Sequence, residues 1–109
     1  MIAAGLLKDR VNVERQRSQD DGYGNTLSDW RLKWSAIPAF VQPMKGGEQI
    51  RAARLAEDAP FEITIRSNPT TLQIMASDRL VNARSKLVYE IRHIMEHDGD
   101  LVVTCEAIR

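Results

Sequence analysis

KLVYEIRHIMEHDGDLVVTCEAI, residues 86–108, decides the fold class. Two long runs rich in Val and Ile flank Asp98-Gly99, and Asp-Gly between such runs is a strong hairpin signal because both central residues of a type I′ turn take positive φ. The reading is a strand, a tight turn and a second strand. Working backwards, RLVN (79–82) is short and β-prone, and ARSK is a tight connection. PFEITIRS (60–67) puts Phe61, Ile63 and Ile65 on one face and Glu62, Thr64 and Arg66 on the other. That period of two marks a half-buried strand. RVNVERQR (10–17) alternates in the same way, with Val11 and Val13 on the apolar side.

Between these strands the chain is less regular. AAGLL (3–7) offers apolar side chains to cover one end of a core. SQDDGYGNTLSD (18–29) is rich in Gly, Asp, Asn and Ser and reads as a long hairpin loop. It is not an EF-hand, because Arg31 or Leu32 stands where the bidentate Glu must be. WRLKWSAIPAFVQPM (30–44) is a strand region carrying Trp30 and Trp34. Pro38 and Pro43 lack a backbone donor, so they place it at an edge or bend it with bulges. NPTTLQIMASD (68–78) opens on an Asn-Pro turn and predicts a bulged strand near Leu72 to Met75.

The middle of the chain differs in kind. Lys45-Gly46-Gly47 ends the preceding strand, and EQIRAARLAED (48–58) is built of good helix formers. Glu48 sits in the first turn, where the helix dipole favours an acid, and Pro60 stops the helix. A helix from about Glu48 to Asp58 is too short to stand alone in water. It therefore needs support from elsewhere in the fold or from another chain. The expected fold class is all-β: a small barrel or sandwich of about six to seven mostly antiparallel strands, with one short helix in a long loop excursion. The 109 residues predict one domain, 1–109.

Composition narrows the function classes. Fifteen Lys and Arg balance fifteen Asp and Glu, which leaves no net charge. Tight sequence-independent nucleic-acid binders usually carry a basic excess, so contact with DNA would need a local concentration of cations. Cys105 is the one cysteine and excludes an intrachain disulfide framework; its strand setting predicts a small packed hydrophobe. The first residues have no basic region and no apolar run long enough for an export signal or a membrane helix, which points to intracellular synthesis.

No catalytic or cofactor site is expected. GGEQIR lacks the Gly-x4-Gly-Lys-Ser/Thr pattern of a phosphate loop, and GYG is a turn without the following helix of a dinucleotide fingerprint. His93 and His97 are four apart, as in helical zinc sites, but their stretch alternates like a strand and no cysteine lies nearby. Metal ligation is not predicted. Trp30, Trp34, Tyr23 and Phe40 permit a different reading: a stacking face on a small OB- or SH3-like barrel, a binding module for an oligonucleotide or other ligand.

GLLKDRVNVERQ, DDGYGN and a Trp, KWSAIPAFVQP leading into GGEQIRAARL, ITIR, the Arg of SDRLV, LVYEIRHI and DLVVTCE follow one another in order. In that order and spacing the chain resembles the head–tail joining (head-closure, or stopper) proteins of long-tailed bacteriophages and gene transfer agents. The family often has a Gly before its Tyr-x-Ile strand, where this chain has Ser85-Lys86-Leu87. The resemblance implies a small β-barrel with a loop-and-helix excursion. It implies a ring of copies, six in the particle, between the portal–adaptor complex and the tail terminator or tube. That ring retains packaged DNA, which passes its channel without sequence-specific binding. No enzymatic activity, cofactor or membrane partner is implied, and the place of action is the virion or gene transfer agent particle, after synthesis in the host bacterial cytoplasm. Within it the subunit or partner interface is expected at Lys45, Gly46, Gly47, Glu48, Ile50, Arg51, Arg54 and Leu55, in an excursion reckoned as 45–59.

Overall fold

The computed structural model describes residues 2–20, 22, 26–44 and 59–108. Among these residues the fold has six strands: β1 (Asp9–Asp20), β2 (Thr26–Pro43), β3 (Ala59–Arg66), β4 (Arg79–Asn82), β5 (Val88–His97) and β6 (Asp100–Ile108). Every pairing is antiparallel, and the sheet closes on itself in the order β1-β2-β3-β6-β5-β4. Closure removes the open edges that a sheet of this size would otherwise expose. The all-β expectation holds. The helix over 48–58 and its proposed interface residues, Lys45 to Leu55, fall outside the described residues. Ala59, reckoned with the excursion, already pairs with Ala107 as the first residue of β3.

The alternation read in the sequence lines the barrel. Val11, Val13, Ile37, Ala39, Ile63, Ile65, Leu80, Tyr89, Ile91, Leu101, Val103, Cys105 and Ala107 are buried in one cluster. Phe61 packs edge-on against Tyr89, with ring centroids 5.3 Å apart. Leu7 closes one end after the short 3-10 turn Ala4–Leu6. That end is held by Asp100, which accepts from the Ile2 amide at 2.7 Å, and by Arg66, which donates to the Ile2 carbonyl. Asp98 and Gly99 have φ of 50° and 78°, so the β5–β6 turn has the positive φ at both central positions that Asp-Gly predicts.

Bulges account for the irregular stretches. Ile91 faces Cys105 and His93 faces Thr104, so Arg92 is an extra residue in β5. The extra residue shifts the inward face from Ile91 to Ile94, which packs on the core. In β2 the register slips twice, with Val11 opposite Ile37, Val13 opposite Trp34 and Glu14 opposite Leu32. Ala36 takes φ 55° at the first slip, and its N–H donates to Asn12 Oδ1 at 2.9 Å. The side chain thus takes a donor that the bulge turns away from the ladder.

Two sequence expectations are corrected. SQDDGYGNTLSD is mostly strand, since Ser18, Gln19 and Asp20 pair with Ser28, Leu27 and Thr26. Its turn-prone composition, with no apolar alternation, hid this ladder. The second correction concerns Leu72 to Met75, which is a 3-10 turn (Thr71–Gln73) followed by extended chain, not a strand. Asn68 Oδ1 accepts from the Thr70 and Thr71 amides, and Thr71 Oγ1 donates to the Arg66 carbonyl at 2.6 Å. These local side-chain bonds offer the backbone a turn in place of a ladder. Only Ile74 of this apolar group is buried, while Leu72 and Met75 are about half exposed.

Candidate assembly surface

β1 and β2 are longer than the barrel that contains them. β4 pairs with β1 only as far as Glu14↔Arg79, and β3 meets β2 only from Ala39 onward. The six ladder pairs from Arg15↔Arg31 to Asp20↔Thr26 have no third strand beside them among the described residues. At about 3.4 Å per residue they make a two-stranded ribbon roughly 20 Å long. An isolated two-stranded hairpin is marginal in water, so its root must be fixed to the barrel.

Two arginines fix that root. Arg79 donates from Nε to Glu14 Oε1 at 2.6 Å, and its guanidinium lies 4.4 Å from the Trp30 ring centroid. Arg15 makes a fork onto Asp78, Nε to Oδ1 at 2.9 Å and Nη2 to Oδ2 at 3.1 Å, with a further bond from Nη2 to the Gln73 carbonyl. Asp78 is buried and also accepts from the Met75 amide. The Asp78 carboxylate holds the Arg15 proton more tightly, raising its pKa. Arg15 and Lys33 each lie 5.5 Å from the Trp34 centroid. Arginine suits these places because its planar fork serves a carboxylate and an aromatic face together.

Trp30 and Trp34 therefore serve the ribbon's root, and the face of Trp30 under Arg79 is occupied. Of the other aromatics proposed for a stacking face, Phe40 is partly buried on β2, and Tyr23 lies outside the described residues. His93 and His97 are both exposed on β5, opposite Thr104 and Asp100. Cys105 is fully buried, and desolvation pushes its thiol up to about 12. No group of three or more His, Cys, Asp and Glu side chains among the described residues has the arrangement of a metal site.

The base of the 45–58 connection is formed by neighbouring strands. Pro43 pairs with Phe61, and the Met44 amide donates to the Pro60 carbonyl at 3.1 Å. The chain leaves and re-enters the barrel side by side, so an insertion there disturbs no ladder. A shallow hollow of about 280 Å³ lined by Gln42, Pro43, Met44 and Glu62 marks this place. Sequence reading missed the ribbon's anchors. Arg15–Asp78 and Glu14–Arg79 join residues more than sixty positions apart, and no local pattern announces such pairs.

Comparison with known proteins agrees with this architecture. Among solved structures, a chain from the virion of a native gene transfer agent (GTA) particle has a TM-score of 0.57 and 23% identity, with 90% of each chain covered. At that identity the likeness concerns the fold. No curated protein matches the sequence. The pattern that defines the phage head completion proteins matches residues 2–108. A family match running almost end to end leads to one conclusion: this chain belongs to the phage head completion protein family and is a structural component of the virion.

Proposed function

We propose that the protein is a head–tail connector of the head-closure, or stopper, kind. Six copies form a ring that joins the portal–adaptor complex to the tail terminator or tube and retains packaged DNA. Each copy acts as one domain, 1–109, without catalysis. The observation that carries the reading is a family match over residues 2–108 on a closed barrel from which the β1–β2 ribbon projects, with the 45–58 connection inserted between β2 and β3. A closed barrel has few free edges for assembly, so contacts between chains fall to what projects from it. Lys45, Gly46, Gly47, Glu48, Ile50, Arg51, Arg54 and Leu55 are the proposed interface with a neighbouring copy or the adaptor. The same segment, in preference to 68–77, is the one proposed to narrow the channel.

The test is to produce particles without this chain and examine them by electron microscopy. DNA-filled heads that fail to join tails and lose their DNA are expected, with rescue by the wild-type chain. A chain with 45–58 replaced by a Gly-Ser linker of equal length should fold yet fail to rescue. Normal tailed particles in the absence of the protein would refute the connector reading.

A further inference from the structure

The ribbon's root gathers cations in a chain with no net charge. Arg15, Arg17, Arg31 and Lys33, with Gln16 and Leu32, line a hollow of about 530 Å³. Arg15 and Arg31 stand directly opposite each other across the ladder, an arrangement of like charges that costs stability. Two carboxylates offset it in part, Asp78 on Arg15 and Asp29 on Arg31, the latter at 3.1 Å. Arg17 and Lys33 have no ion-pair partner among the described residues. Four cations against two carboxylates leave an excess of two on one small surface.

We propose that this cationic face contacts the phosphate backbone of duplex DNA without reading bases. Three of the four cations are arginines, whose fork matches phosphate oxygens. Same-face side chains recur about every 6.8 Å along a strand, and the two strands lie about 4.8 Å apart. This spacing presents several charges to a polymer carrying one phosphate per ~1.7 Å of axis. The two carboxylates already on Arg15 and Arg31 limit the grip, which suits a surface that a moving DNA must leave. The inference rests on the connector reading, which brings DNA within reach of each copy.

The experiment measures binding of the purified chain to a short duplex of arbitrary sequence by fluorescence anisotropy over a salt series. Two to three phosphate contacts predict a slope of log K against log salt of about −2 to −3. Changing Arg17→Gln, Arg31→Gln and Lys33→Gln together should weaken binding at least tenfold at about 50 mM salt. The comparison variant, Arg84→Gln with Lys86→Gln on the far turn, should bind as wild type. Both variants are first shown to melt cooperatively. Absence of wild-type binding at low salt, unchanged binding by the triple variant, or equal loss in the comparison variant would overturn the proposal. So would a triple variant that binds DNA normally but no longer assembles, which would assign the face to an acidic protein partner. The DNA-binding results do not bear on head–tail joining in particles that lack the chain, which tests the connector reading by itself.

Discussion

Leu80→Ala probes the seam where the barrel closes. β4 is four residues long and is the only strand between β1 and β5, with Leu80 opposite Val13 on one side and Tyr89 on the other. Leu80 is completely buried. Truncation loses the transfer free energy of the removed carbons and leaves a cavity whose cost depends on how far its walls can relax. Here the wall is braced by ladders on both sides, so little collapse is possible. The cost should lie in the upper part of the range for such substitutions, about 4 kcal/mol. For a chain of this length that is a large share of a total stability of about 5–15 kcal/mol, and it lowers the melting temperature by roughly 15 °C. Urea titration should show a lower midpoint at unchanged slope. Leu72→Ala, on a half-exposed side chain, should cost less than about 0.5 kcal/mol in the same assay. A cost for Leu80→Ala below about 1.5 kcal/mol, with the slope unchanged, would refute the claim that β4 is a closing stave of the core.

Lys86 has φ 65° in the turn where the family often places glycine. Lys86→Gly should therefore raise stability by about 0.5 kcal/mol, strain relief outweighing the added chain entropy; a lower melting temperature would refute this. Cys105 titrates near 12 in the fold against 9.0 unfolded. Above pH 9 the unfolded chain releases a proton that the fold retains, so the thiol's contribution is complete below pH 9 and is lost as pH rises toward 12. Tyr89, also raised by desolvation, acts in the same direction above pH 10, so the difference between wild type and Cys105→Ala isolates the thiol. That difference should shrink between pH 8 and pH 11 in urea titrations, and a constant difference would refute the assignment. Trp30→Ala removes the ring under Arg79 and should speed amide hydrogen exchange across the ribbon, 15–20 and 26–31, while leaving β5 and β6 protected. Uniform acceleration would show that the stack supports the barrel as a whole.

Much of the barrel could be read from short-range pattern. Val11 and Val13, Phe61 to Ile65, and Leu101 to Ala107 alternate because each strand has one face inside, and Asp98-Gly99 supports a positive-φ turn that joins such strands in two residues. Where alternation failed as a guide, a specific competitor had won. Asn68 and Thr71 drew the backbone into a turn over Leu72 to Met75. An extra residue at Arg92 changed which side of β5 faces inward. In the ribbon, no continuous apolar face existed to reveal the strands. The family resemblance in the order of weak motifs pointed to the virion, and the match over residues 2–108 agrees with it.

By itself the sequence determined most of the local elements: which segments with an apolar face extend, where the C-terminal hairpin turns, and which residues of most strands are apolar on one side. These follow from side-chain periodicity and turn chemistry, which act over a few residues. The tertiary structure alone decided that β4 closes the barrel between β1 and β5, that β1 and β2 run on past it as a ribbon, and that Arg15 and Arg79 anchor that ribbon. The β1–β4 ladder and both anchors join residues more than sixty positions apart, and the ribbon begins where β3 and β4 stop pairing with β2 and β1; only the folded chain supplies that neighbourhood.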